Sequence, residues 1–169
     1  MSEVANLPWL MPGLLFGLVV ALALGPRIGR TLGTSAAVGV LLVVSIALIV
    51  AATLTPQSGA LVLGARSDGS CDLTIIPPRL SELLHPTDIT LNVLLFVPLG
   101  VALGLLPRSS RRTALVAGAV LLPFVIESVQ LVAPVLDRAC EANDVADNLV
   151  GLAVGLLVGW VATRAGVVR

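Results

Sequence analysis

The sequence predicts an all-α polytopic membrane protein, a bundle of five transmembrane helices with a partly ordered outer loop. Three observations carry this reading. Of 169 residues, 57% are apolar and only 12% charged, with a mean hydropathy of +1.04. A soluble domain carries about 25% charged residues, which it needs to face water. The apolar residues gather into five runs close to the ~20 that cross a bilayer, and these runs do not alternate as barrel strands do. Helices are then the structure that satisfies its own backbone in lipid. The same figures exclude a disordered chain, a coiled coil and a nucleic-acid binder.

The runs follow in order. Leu7 to Leu24 is closed by Gly25-Pro26-Arg27, and Thr34 to Leu54 by Thr55-Pro56. Ile89 to Leu106 is closed by Pro107-Arg108, and Thr113 to Ala133 by Pro134; Asp144 to Ala162 is the fifth. Proline and glycine punctuate because neither continues a helix cheaply. The first run has Glu3 as the only charge before it and no A-x-A site after it, so it reads as a retained helix rather than a cleaved signal. Residues 1–33 then form an extra N-terminal helix with its inner linker, and 34–169 a four-helix membrane domain with an outer loop at 55–88.

All ten basic residues are arginine. Seven (Arg27, Arg30, Arg108, Arg111, Arg112, Arg164 and Arg169) fall in the linkers and tail of one side, which holds no acid. The other side has Arg66, Arg79 and Arg138 against nine acids, and Glu127 lies within a run. The positive-inside rule places the N-terminus outside and the C-terminus inside a bacterial plasma membrane. Trp9 and Trp160 fall at run ends, where interfacial anchors belong.

On the outer side, Leu61–Leu63 and Leu73–Ile76 flank Asp68-Gly69 and suggest a small hairpin. Arg79 to Leu84 suggests a helical turn on the membrane surface. Cys71 and Cys140, the only cysteines, share this oxidising side, so a bridge is expected, with two unpaired thiols as the alternative. A bridge would hold the outer segment over the site as a partial lid. Gly151, Gly155 and Gly159 make a small-residue strip, as do Gly100 with Gly104 and Gly13 with Gly17. Packing within the chain is the expected use of such strips, ahead of a dimer face.

Polar residues within runs are costly in lipid and so informative. Glu127 and Gln130 share a helix face, about two turns below Pro134. Asp144, Asp147 and Asn148 open the fifth run; Asp88 and Asn92 open the third, with His85 one turn earlier. These residues sit at one depth and predict an outward-opening polar cleft between helices three, four and five. For Asp88 and Asp144, helix capping is an equal alternative. No G-x-S-x-G, H-E-x-x-H, zinc-spaced cysteine pair, P-loop or G-x-G-x-x-G is present, and no lysine.

Read in order, these pieces resemble the VanZ-like family of bacterial membrane proteins: Thr53-Leu54-Thr55-Pro56, Asn92 with Phe96-Val97-Pro98-Leu99-Gly100, Glu127-Ser128-Val129-Gln130, then Arg138, Asp144, Asn148 and Gly151. The resemblance covers roughly Val38 to Trp160. Asp147 departs from it, as an acid where an apolar residue is usual, and only His85 and Asp88 hint at the D-K-x-x-H opening of many members. The family is named for a protein associated with low-level teicoplanin resistance, and most members have no assigned reaction. The resemblance therefore implies a cell-envelope membrane protein and leaves enzyme status open.

Three functions are carried forward. The first is a non-catalytic protein that binds or modulates an envelope lipid-linked or glycan headgroup. The second is an enzyme on a lipid-linked substrate, with Glu127 and Asp144 as acid and base and Asn92, Gln130, Arg138, Asn148, Asp147, His85 and Asp88 binding substrate. In it, Arg138 would fork onto a phosphate. The third is an ion-coupled transporter, against which the lack of an internal repeat argues. Expected partners are membrane lipids, with a lipid-linked cell-wall precursor or glycopeptide as candidates. No cofactor is required, though Asp144, Asp147 and Glu127 are the hard oxygen ligands a divalent cation prefers. Oligomeric state is left open.

Overall fold

The computed structural model describes residues 8–57, 70–75 and 88–166. His85, the Asp68-Gly69 turn and Arg79–Leu84 lie outside them, as does the side chain of Asp88. Among the described residues are five long helices: α1 Leu10–Leu32, α2 Ala36–Thr53, α3 Asp88–Leu105, α4 Ser110–Val132 and α5 Ala142–Arg164. Four (α1, α2, α4 and α5) are long and apolar enough to cross a membrane; α3 is apolar over the shorter stretch Thr90–Leu105.

The end of α1 corrects the sequence reading. The helix does not stop at Gly25-Pro26-Arg27 but continues to Leu32. Proline removes one N–H from a ladder that the rest of the turn still completes, a loss transmembrane helices tolerate. What holds the extra turns is packing. A Cβ on Gly25 would lie 2.7 Å from the Val40 Cα, and one on Gly29 3.3 Å from the Ala36 Cα. The strip read at Gly13 and Gly17 thus runs on through Ala21, Gly25 and Gly29, at four-residue steps, along the face that meets α2. The stop comes at Gly33, whose φ of 70° is the left-handed conformation a glycine adopts freely. There the Thr34 N–H closes back on the Gly29 carbonyl at 2.9 Å.

Ser35 caps α2 by accepting from the Val38 N–H, and Ser109 caps α4 by accepting from the Arg112 N–H. Capped by Ser109, α4 starts at Ser110, three residues before Thr113, so Arg111 and Arg112 lie in its first turn. Arg111 donates to the Thr31 carbonyl at 2.6 Å and Arg112 to the Leu103 carbonyl at 3.1 Å. The arginine-rich end is thereby tied to the ends of α1 and α3. At the same end the Arg164 guanidinium lies 5.3 Å from the centre of the Trp160 ring.

The strongest seam joins α3 to α5, which run parallel, rather than α3 to its sequence neighbour α4. Gly155 faces the Gly100 Cα and Gly159 the Gly104 Cα, with built Cβ positions 2.8 and 2.9 Å away. Only glycine allows these backbones to approach so closely. The strips are used within the chain, as expected. Phe96, Leu99 and Leu103 of α3 pack with Leu42 and Ile49 of α2, Ile126 of α4 and Leu152 of α5 to form the core. Met11, Leu15, Phe16, Val19 and Leu22 of α1 point outward, an apolar face suited to lipid.

At the end opposite the arginines, Cys71–Asp72 and Cys140–Glu141 form a two-residue parallel ladder in which Cys71 pairs with Cys140. The two are disulfide-bonded, with Cα atoms 4.6 Å apart, inside the range such bridges require. Residues 71–72 pair with the α4–α5 link, and residues 73–75, the described part of the expected second hairpin strand, are not in a strand; Leu61–Leu63 and Ile76 lie outside the described residues. The side chain and backbone of Thr74 hydrogen-bond Asp72, holding its exposed carboxyl below the usual range.

Candidate functional site

The site is built around the end of α2. The carbonyl of Ala52 would normally accept from the residue four positions on, but that residue is Pro56, which has no N–H. The carbonyl of Thr53 would look to Gln57, whose N–H instead donates to the Leu136 carbonyl at 3.2 Å. Two side chains from other parts of the chain take these places. Arg138 Nη2 donates to the Ala52 carbonyl at 2.6 Å, and Gln130 Nε2 to the Thr53 carbonyl at 3.0 Å. Thr53 and Thr55 fold their own hydroxyls back onto Ile49 and Ala51.

Glu127 is buried, and its Oε2 accepts from the Glu141 N–H at 2.8 Å. Glu141 is the N-cap of α5, and its neighbour is the bridged Cys140. The disulfide, the short ladder and the carboxylate of α4 therefore meet at one backbone position. Asp144 lies in the first turn of α5 and is not its cap residue, because the helix begins at Ala142. A carboxylate there still suits the positive end of the helix. Burial pulls the Arg138 guanidinium below its ordinary value, and the Asp144 and Glu127 carboxylates oppose that pull.

These groups line a cavity of about 460 Å³, within the size range of small-molecule sites. Asn92 of α3, Glu127 and Gln130 of α4, Arg138 and Glu141 of the link, and Asp144 and Asn148 of α5 form its polar wall, and Leu48, Leu91 and Leu95 its apolar wall. The structure thus brings together six of the residues singled out in the sequence. It adds α2, Leu10 and Glu141, which sequence reasoning missed. Backbone groups have no sequence signature of their own; the one signal available was Pro56, whose missing N–H implies an orphan carbonyl.

Asp147 is not part of this lining. It is buried on the strip that continues into Gly151, and its Oδ2 accepts from Asn143 at 3.0 Å. Among the described residues, no three His, Cys, Asp or Glu side chains are grouped to hold a metal ion. Of the disulfide-tethered outer segment, only residues 70–75 lie among the described residues after Gln57 and before Asp88. Cys71, Leu73 and Ile75 cover a second, mostly apolar groove of about 490 Å³ against Phe124, Leu131 and Leu149. Glu127 lines both spaces and forms a wall between them.

Two buried acceptors in the polar wall have no partner in the protein: Gln130 Oε1 and Asn148 Oδ1. The orientation of Gln130 is fixed by chemistry, since the amide nitrogen must face the Thr53 carbonyl. Arg138 Nε is also unpartnered.

No curated protein and no solved structure matches the chain. The VanZ/LLP1 family model matches residues 42–163, from within α2 to the last turn of α5. With all the cavity's polar residues inside that span, the chain belongs to the VanZ/LLP1 family.

Proposed function

We propose that this VanZ-like membrane protein binds the polar headgroup of an envelope lipid in the cavity and does not turn it over. The supporting observation is the cavity itself. It is a polar pocket at the end of a membrane-spanning bundle, with buried hydrogen-bonding atoms on Gln130, Asn148 and Arg138 left unpaired. The cavity's own apolar wall, Leu48, Leu91 and Leu95, gives the same ligand a place for the start of its hydrocarbon part. The arginine distribution supports an extracytoplasmic position for this end of the bundle.

The non-catalytic reading is preferred to an enzyme because Glu127, the central carboxylate, already holds the Glu141 N–H and so has a structural duty. Native mass spectrometry of the protein extracted from its own membrane tests the binding. A retained lipid is expected in the wild type and lost in Asn92→Trp, which fills the cavity. Equal retention in both proteins would show that the lipid binds elsewhere. Conversion of the retained lipid by wild type, abolished in Glu127→Gln and Asp144→Asn of unchanged stability, would favour the enzyme.

A further inference from the structure

We infer that the corner between the end of α1 and the start of α4 is a binding site for an anionic phospholipid of the surrounding leaflet, separate from the cavity. Four arginines from two segments meet there. Arg111 Nη1 donates to the Thr31 carbonyl at 2.6 Å, which joins the first turn of α4 to the last turn of α1 and fixes the guanidinium at that end. A Cβ on Gly33 would lie 3.8 Å from the Pro107 ring, so Pro107 and the neighbouring Arg108 approach the same end. Arg27 and Arg30 belong to α1 itself, and all four arginines are exposed. No acid balances them: residues 25–36, 104–113 and 160–169 contain neither Asp nor Glu. The segments outside the described residues join the bundle at the opposite end, except residues 167–169, which add Arg169. Like charges gathered without acids repel one another, and an anion among them relieves that repulsion.

Two features of α1 point to a lipid rather than to a soluble anion. Arg27 stands inside the helix, about 7.5 Å before its end at Leu32. It falls on the side opposite Gly25 and Gly29, the glycines that pack on α2, and so on the outward side. An arginine at that depth runs its apolar stem along the helix and brings its charge up to headgroup level. Leu15, Val19 and Leu22, 63%, 66% and 60% exposed, climb the same outward side towards Arg27 and Arg30. An apolar stripe that ends in arginines matches the two parts of a phospholipid: acyl chains lie along the stripe, and guanidinium forks meet the phosphate. A soluble anion uses the arginines and leaves the stripe uncovered.

The test uses the delipidated full-length protein in a neutral detergent. Phosphatidylglycerol and phosphatidylcholine with the same acyl chains are titrated while lipid occupancy is followed by native mass spectrometry and unfolding by temperature. The glycerol lipid is expected to bind about tenfold tighter. Arg27→Gln should lower that preference about fivefold, the worth of one arginine near an anionic surface. Arg164→Gln carries the same net charge and is the local control, because α5 scarcely touches α1 and the Arg164 guanidinium lies over Trp160; it should keep the preference. Asn92→Trp, which fills the cavity, should keep it too. Equal binding of the two lipids by wild type, or an undiminished preference in Arg27→Gln, overturns the site. Equal losses in Arg27→Gln and Arg164→Gln overturn it in favour of a diffuse positive field. Loss of the preference in Asn92→Trp places the lipid in the cavity instead. A rise in unfolding temperature with inorganic phosphate that equals the rise with the glycerol lipid assigns the corner to a soluble anion and overturns the lipid.

Discussion

At the scale of single residues, Pro56 explains more of the site than any charged side chain. By withholding an N–H it leaves the Ala52 carbonyl open, and Arg138 closes it across 86 positions of sequence. Arg138→Met should therefore destabilise the protein by about 2 kcal/mol, as expected for loss of a charge-assisted hydrogen bond. Pro56→Ala supplies a backbone N–H at the right step of the helix and should recover part of that loss. A double-mutant cycle of thermal unfolding in detergent measures the coupling; strict additivity of the two substitutions would show that Arg138 and Pro56 act independently. The sequence made Arg138 visible as a polar residue in a motif, but it suggested a phosphate partner. The partner found was a carbonyl, which no side-chain pattern announces. Glu141 escaped notice for the same reason, since it acts on Glu127 through its N–H.

Between elements, the determining chemistry is the absence of side chains. The α3–α5 seam brings glycines face to face, so Gly155→Leu must force a large side chain against the Gly100 backbone. Overpacking of this kind costs about 2–3 kcal/mol. Gly118 in α4 is the internal control: a Cβ there meets nothing within 4 Å. Gly118→Ala should leave stability unchanged or raise it by about 0.5–1 kcal/mol through helix propensity alone. Unfolding of both variants checks the pair, and equal effects would contradict the seam. Four helices were legible in the sequence to within three residues at each end because long apolar runs leave little choice. The end of α1 was not, because Gly25-Pro26 has the local chemistry of a stop. Contacts with α2, invisible along the chain, override it.

For the whole molecule, two expectations concern how the ends differ. Arginines cluster at one end and the disulfide at the other, so a C-terminal reporter active only in the cytoplasm should be bright. A periplasm-active reporter at the same point should be silent; the reverse pattern would invert the topology. The Cys71–Cys140 bridge closes a separation of 69 residues, for which chain-entropy estimates give roughly 4 kcal/mol. Reductant, or Cys71→Ser, should lower the unfolding temperature clearly while leaving the helices in place by circular dichroism. No change on reduction would mean that the ladder with residues 140–141 persists without its covalent link. The fold class, the family and the bridge were all readable from composition, ordered motifs and cysteine placement. The route of the tethered segment was not, because it depends on a parallel pairing between residues far apart in sequence.

The parallel seam between α3 and α5 also has a consequence in time. A ribosome delivers α1 and α2 as adjacent hairpin partners, and their glycine strip can close as soon as both are inserted. When α3 emerges it can pack on α2, but its main partner does not yet exist; α4 must be made and inserted first, and α3 barely touches it. Throughout that interval the backbone groove of α3 lies open to lipid, Cys71 waits for Cys140, and Glu127 waits for the Glu141 N–H. A nascent chain stalled before Ala142 is therefore a finished helical hairpin with α3 packed on α2, but with the glycine face of α3 and most of α4 unmatched. Such chains present the exposed surface that quality control recognises. Pulse-chase labelling of chains ending before and after α5 should show the shorter ones degraded quickly and the longer ones persisting, which makes the last helix the step that commits the protein to survival.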